Sequence, residues 1–135
     1  MKKILTLTLL SLLLVAGCNS YADSSDPEKM YDIASDLKDL AAGVDALVKF
    51  DNGKNLTKSE LLLKAVNHDS SRLEIFTGYD LQLKIEGENS SVLLCEGNRA
   101  IIEDSGCSAK SDIHHWKNDS VMACEFTLDL TKVCK

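Results

Sequence analysis

The sequence predicts an α+β domain in which N-terminal helices pack on a four-stranded antiparallel sheet stapled by two disulfides. Three observations point there. Apolar residues recur at three- and four-residue spacing from Met30 to Leu47, the period of an amphipathic helix. From Tyr79 onward the period falls to two, which marks strands with one buried face. Four cysteines, Cys95, Cys107, Cys124 and Cys134, lie in the last third of the chain. An even number in a small domain reads as two bridges rather than as a metal site, and no Cys-x-x-Cys or Cys/His zinc spacing is present.

The first helix opens at Asp26-Pro27-Glu28, where Asp caps, Pro suits the first helical position and Glu favours the first turn. Met30, Ile33, Leu37, Leu40, Val44 and Leu47 form its apolar stripe, widened by Ala34, Ala41 and Val48. Asp32, Asp36, Lys38, Asp39, Asp45 and Lys49 are expected on the other side. The helix should run about 22 residues, roughly 33 Å. Three heptads interrupted by Gly43 favour packing on its own sheet over a coiled-coil partner. Asp51-Asn52-Gly53 ends it. Thr57-Lys58-Ser59-Glu60 is a capping box that starts a second helix reaching about Asn67. Ser71-Arg72-Leu73-Glu74 repeats the pattern and predicts one or two helical turns over 72–77, with a strand as the competing reading.

Tyr79–Glu86 is expected as a strand with Leu81, Leu83 and Ile85 on one face and Asp80, Gln82, Lys84 and Glu86 on the other. A turn at Gly87-Glu88-Asn89 leads to a strand over Ser91–Glu96, and the two-residue turn Gly97-Asn98 returns the chain through Arg99–Asp104. That turn sets Glu96 opposite Arg99, Cys95 opposite Ala100, Leu94 opposite Ile101 and Leu93 opposite Ile102. A fourth strand is expected over Val121–Leu130, with Met122, Cys124, Phe126, Leu128 and Leu130 inward. If it lies antiparallel beside Arg99–Asp104, the pairs are Cys107–Cys124 and Cys95–Cys134, because bridged Cα atoms must lie within about 7 Å.

The beginning of the chain speaks to location. Lys2 and Lys3 precede a largely apolar run from Ile4 to Ala16, too short to span a bilayer as a helix. The run ends in Val15-Ala16-Gly17-Cys18, which resembles the lipobox of bacterial lipoprotein precursors. The resemblance covers residues 1–18 and implies cleavage before Cys18, a diacylglycerol on its thiol and acylation of its amine. It divides the chain into a signal peptide over 1–17, a lipidated tether over 18–26 and one domain over 27–135. In such lipoproteins an aspartate after the cysteine favours the inner membrane. Asn19 stands there instead, which implies an outer-membrane anchor in a Gram-negative host, on either face of that membrane. An ordinary signal peptide cut after Ala22 is the alternative.

Losing Lys2 and Lys3 takes the basic residues from 15 to 13 against 21 acidic ones, a balance of −8. That argues against nucleic acid and against electrostatic adhesion to anionic lipid. The sequence carries no nucleophile elbow and no Ser-x-x-Lys motif, and its cysteines are assigned to lipid or disulfide. His114-His115-Trp116 is the one eye-catching cluster, and with His68, Glu103 or Asp104 it would be a weak metal candidate. Adjacent histidines on a helix point about 100° apart, however, and make poor joint ligands. No enzyme, metal or cofactor is therefore expected. Val92, Leu94 and Ile101 form an apolar strip that a lid over Ser108–Trp116 or a protein partner would cover. The reading is a lipid-anchored envelope accessory protein working through protein contact, similar in layout alone to secretion pilotins. An inhibitor or immunity lipoprotein against a basic hydrolase such as a lysozyme is the alternative, followed by a metal-dependent envelope enzyme.

Overall fold

The computed structural model describes residues 26–107 and 123–135. They form an α+β unit with a three-stranded antiparallel sheet in the order β1-β2-β3. Helix α1 spans Pro27–Phe50 and is capped by Asp26, whose side chain accepts from the backbone of Glu28 and Lys29. A 3-10 turn over Gly53–Asn55 follows. Helix α2 is shorter than expected, Lys58–Ala65, because Asn67 and His68 both take positive φ and stop it. Its capping box between Thr57 and Glu60 forms in both directions. The segment Ser70–Phe76 is a 3-10 helix, capped by Asp69 rather than by Ser71.

Strands β1 (Asp80–Glu86), β2 (Asn89–Glu96) and β3 (Arg99–Ser105) form the sheet. Helix α1 covers one face. Ile33, Leu37, Leu40, Val44 and Val48 pack with Val92, Leu94, Ile101 and Ile102 in a single core, and Leu81 and Leu83 flank it. Helix α2 packs on α1 and contributes Leu61 and Leu62 to that core. A Cβ on Gly43 would lie 2.7 Å from the carbonyl oxygen of Ala65, so the glycine sets how closely α1 and α2 approach.

Two details of register differ from the sequence expectation. The β1–β2 turn holds two residues, Gly87 and Glu88, since Glu86 pairs with Asn89. A turn one residue shorter flips the pleat, so Leu81 and Leu83 face the same side as Leu94 and Val92. The second difference is a bulge between β2 and β3. Cys95 pairs with Ala100 as expected, but Leu94 pairs with Ile102 and Leu93 with Glu103. Ile101 is the extra residue, and both isoleucines join the core under α1.

The expected fourth strand does not join the sheet as a strand. The chain from Ala123 makes one bridge to Arg99, continues without regular structure to Asp129, and ends in the short helix α3, Leu130–Val133. Its alternation survives: Cys124, Phe126, Leu128 and Leu130 are shielded, while Glu125, Thr127 and Asp129 are exposed. That bridge is antiparallel, but beyond it the direction is reversed. Cys124 donates its N–H to Asn98 at the β2–β3 turn, and Leu128 reaches Glu103 near the far end of β3.

The reversal corrects the cysteine pairing. The bridges are Cys95–Cys124 and Cys107–Cys134, with Cα separations of 5.8 and 5.4 Å. Cys107–Cys124 and Cys95–Cys134 would have required the segment to return antiparallel along β3. It runs instead from the turn toward the end of β3.

Candidate functional site

The sheet face away from α1 is closed by this C-terminal strap. Leu93, Cys95 and Ala100 form a small apolar cluster there, against which Cys124 and Phe126 pack. Glu103 holds the middle of the strap. Its Oε2 accepts the Thr127 N–H at 2.8 Å and the Thr127 hydroxyl at 2.9 Å. Its Oε1 accepts the Leu128 N–H at 3.1 Å and the Ser91 hydroxyl at 3.2 Å. Glu103 is fully buried, and these donors supply the hydrogen bonds that a buried carboxyl requires. From β1, Lys84 Nζ donates to the Leu128 carbonyl and Gln82 Nε2 approaches Cys124 Sγ. A disulfide lies at each end of the strap.

The expected partner strip is not on the surface. Val92, Leu94 and Ile101 are 0, 0 and 4% exposed, and α1 covers them. The two-residue β1–β2 turn puts apolar residues of β1 beside them, so the strip belongs to the main core. The lid over the strip is α1; the Ser108–Trp116 segment lies outside the described residues.

Cys18, His114, His115 and Trp116 lie outside the described residues. Of the groups named with the histidines, His68 is exposed just beyond α2. Glu103 and Asp104, adjacent in β3, point to opposite faces of the sheet. Among the described residues no cluster of three or more His, Cys, Asp or Glu is arranged to hold a metal.

Among the described residues, both faces of the central strand β2 are covered, and the outer side of α1 is an extended exposed surface. Tyr31 is 64% and Phe50 85% exposed. At 100° per residue, Tyr31, Asp32, Ser35, Lys38, Asp39, Ala42, Ala46 and Phe50 fall within an arc of about 120°, and all eight are exposed. The sequence did hold this signal, since Tyr31 and Phe50 lie off the apolar stripe. Asp45 departs from the expected polar side. It is 4% exposed, bonds Lys49 at 2.7 Å and accepts from the Ser90 hydroxyl at 3.4 Å.

Three surface carboxyls are shifted by local hydrogen bonds. The Thr57 N–H, with its hydroxyl, lowers Glu60. The Ser71 hydroxyl, then its N–H, lowers Asp69. Asp129, the cap of α3, is brought from 3.8 to about 2, mainly by the Thr131 hydroxyl and then by Lys132. All three stabilise helix starts, and all three are exposed.

Comparison with protein-family models, curated proteins and solved structures finds no match to the chain. Among the described residues no helix is long and apolar enough to cross a membrane.

Proposed function

We propose that the protein is a lipid-anchored accessory factor of the bacterial cell envelope, acting by localisation and protein contact. The observation that carries the reading is Val15-Ala16-Gly17-Cys18 at the end of a basic-then-apolar leader. Two disulfides in the described domain agree with an oxidising compartment. Eight peptide steps separate Cys18 from the α1 cap Asp26, at most about 28 Å of extended chain. In this reading the lipid keeps the start of α1 within that reach of the bilayer. Asn19 favours the outer membrane in a Gram-negative host.

The contact surface in this reading is the outer side of α1, with Tyr31 and Phe50 as anchors and Asp32, Lys38 and Asp39 as charges, Arg72 lying 3.9 Å from Asp39. Such a surface suits a partner that offers apolar pockets edged by charges of both signs. The test has two arms. Cys18→Ser should abolish palmitate labelling and release the protein from membranes, and unchanged fractionation would refute the anchor. The double variant Tyr31→Ser, Phe50→Ser should keep its melting temperature and lose the envelope proteins that co-purify with the wild type. Retention of those proteins would refute the contact surface.

The acidic balance favours one rival, an inhibitor of a basic hydrolase. Under that reading the co-purifying protein is a soluble cationic enzyme, and the complex dissociates as salt rises.

A further inference from the structure

We propose that this chain is a substrate for thiol–disulfide isomerisation in the compartment that receives it. The proposal rests on the export reading above and on the order of the bridges. With Cys18 set aside for the lipid, the first of the four remaining cysteines bonds the third and the second bonds the fourth.

Of these four, a chain oxidised as it emerges presents Cys95 and Cys107 first. They are 12 residues apart, whereas the native partners Cys95 and Cys124 are separated by 29. Loop-closure entropy favours the shorter loop by about fourfold. Cys124 and Cys134, ten apart, are favoured in the same way.

The consecutive pairs cannot coexist with the fold. Cys95 stands opposite Ala100, and Cys107 lies seven residues further along, about 20 Å away at the rise of a strand. A Cys95–Cys107 bond would hold those Cα atoms within about 7 Å. It would therefore prevent the β2–β3 ladder that presents Leu94, Ile101 and Ile102 to α1. The mispaired chain has no native core to direct its own repair.

Three exchanges convert it, with two S–S bonds present before and after and no net oxidation. An isomerase thiolate attacks Cys107 Sγ, forms a mixed disulfide and releases Cys95 as thiolate. Cys95 attacks Cys124 Sγ, forming the first native bridge and releasing Cys134. Cys134 then attacks Cys107 Sγ, forming the second native bridge and expelling the isomerase thiolate. Folding ends the cycle, because Cys95 is then fully buried.

The test is expression of the full chain in a bacterial host with its periplasmic disulfide isomerase and in one lacking it. Thiols are trapped by alkylation and bridges mapped by mass spectrometry without reduction. The expected result is a fivefold or greater loss of the native pairs in the deficient host, with Cys95–Cys107 and Cys124–Cys134 peptides appearing. In the variant Cys107→Ser, Cys134→Ser the remaining pair is consecutive, so Cys95–Cys124 should form equally in both hosts whether or not the chain folds fully. Native pairs at equal yield in both hosts for the unaltered chain would overturn the proposal. So would an isomerase requirement that persists in the double variant. An uncleaved leader with reduced thiols in both hosts would overturn the export reading itself, and the proposal with it.

Discussion

Glu103 and Thr127 are joined twice, through the backbone N–H at 2.8 Å and the hydroxyl at 2.9 Å, both to the same carboxyl oxygen. A strap with no strand pairing over 124–129 must satisfy its buried backbone in another way. One side chain on β3 meets that need for two successive N–H groups. This relationship makes the strap part of the fold, where disulfides alone would leave it a tethered tail.

Glu103→Ala should therefore destabilise the domain by about 3 kcal/mol, since it strands the N–H groups of Thr127 and Leu128. Glu103→Gln, which keeps one acceptor oxygen, should cost about half as much. Urea unfolding of both variants with the disulfides intact measures this. A Glu103→Ala variant within about 0.5 kcal/mol of the wild type would show that solvent replaces the clasp.

The two bridges should yield to reductant in a fixed order. Cys107 and Cys134 are both half-buried, and Cys134 caps the four-residue helix α3. Cys95 is fully buried. Graded reduction followed by alkylation and peptide mapping should reveal an intermediate with Cys107 and Cys134 alkylated and Cys95–Cys124 intact. The opposite intermediate would mean that the strap opens from its Cys124 end.

Gly43→Ala places a methyl group 2.7 Å from the Ala65 carbonyl oxygen, which is backbone and has little room to give. In an exposed helix the same change would stabilise by about 1 kcal/mol. Here it should destabilise by about 1–3 kcal/mol, as overpacking does. A raised melting temperature would show that α2 moves freely on α1.

Asp129 gives a pH signature. Its carboxyl sits at about 2 in the folded protein against an ordinary 3.8. The ionised form is favoured by folding, so its contribution is complete above about pH 4 and disappears as pH falls toward 2. Asp129→Asn should lower the melting temperature at pH 6, and the gap to the wild type should close between pH 4 and pH 2. A gap that stays constant over that window would place the effect in the cap geometry rather than in the charge.

What the sequence made legible was whatever local chemistry decides. Asp26-Pro27-Glu28 starts α1, Thr57 and Glu60 start α2, and Gly97-Asn98 fixes Glu96 opposite Arg99, all within a few residues. The α+β class and the presence of two bridges followed from these and from periodicity. The bridge partners did not follow, because they depend on the path the chain takes between Cys107 and Ala123. The partner strip failed for a smaller reason. One residue fewer in the Gly87-Glu88 turn moved β1 by half a pleat, and a surface became a core. Glu103 was legible as an acidic residue in a strand, but its role appears only when Thr127 and Leu128 are beside it.

The bulge at Ile101 bears on how this domain tolerates change in length. Elsewhere in the β2–β3 hairpin, loss of one codon would turn every following side chain to the opposite face. Between Ala100 and Glu103 it would not. With either isoleucine deleted, the one that remains meets Leu94, Glu103 stays opposite Leu93, and the ladder becomes regular. The hairpin thus carries one spare residue at a single place, and a shortened lineage could discard it there while keeping its clasp, its strap and both bridges.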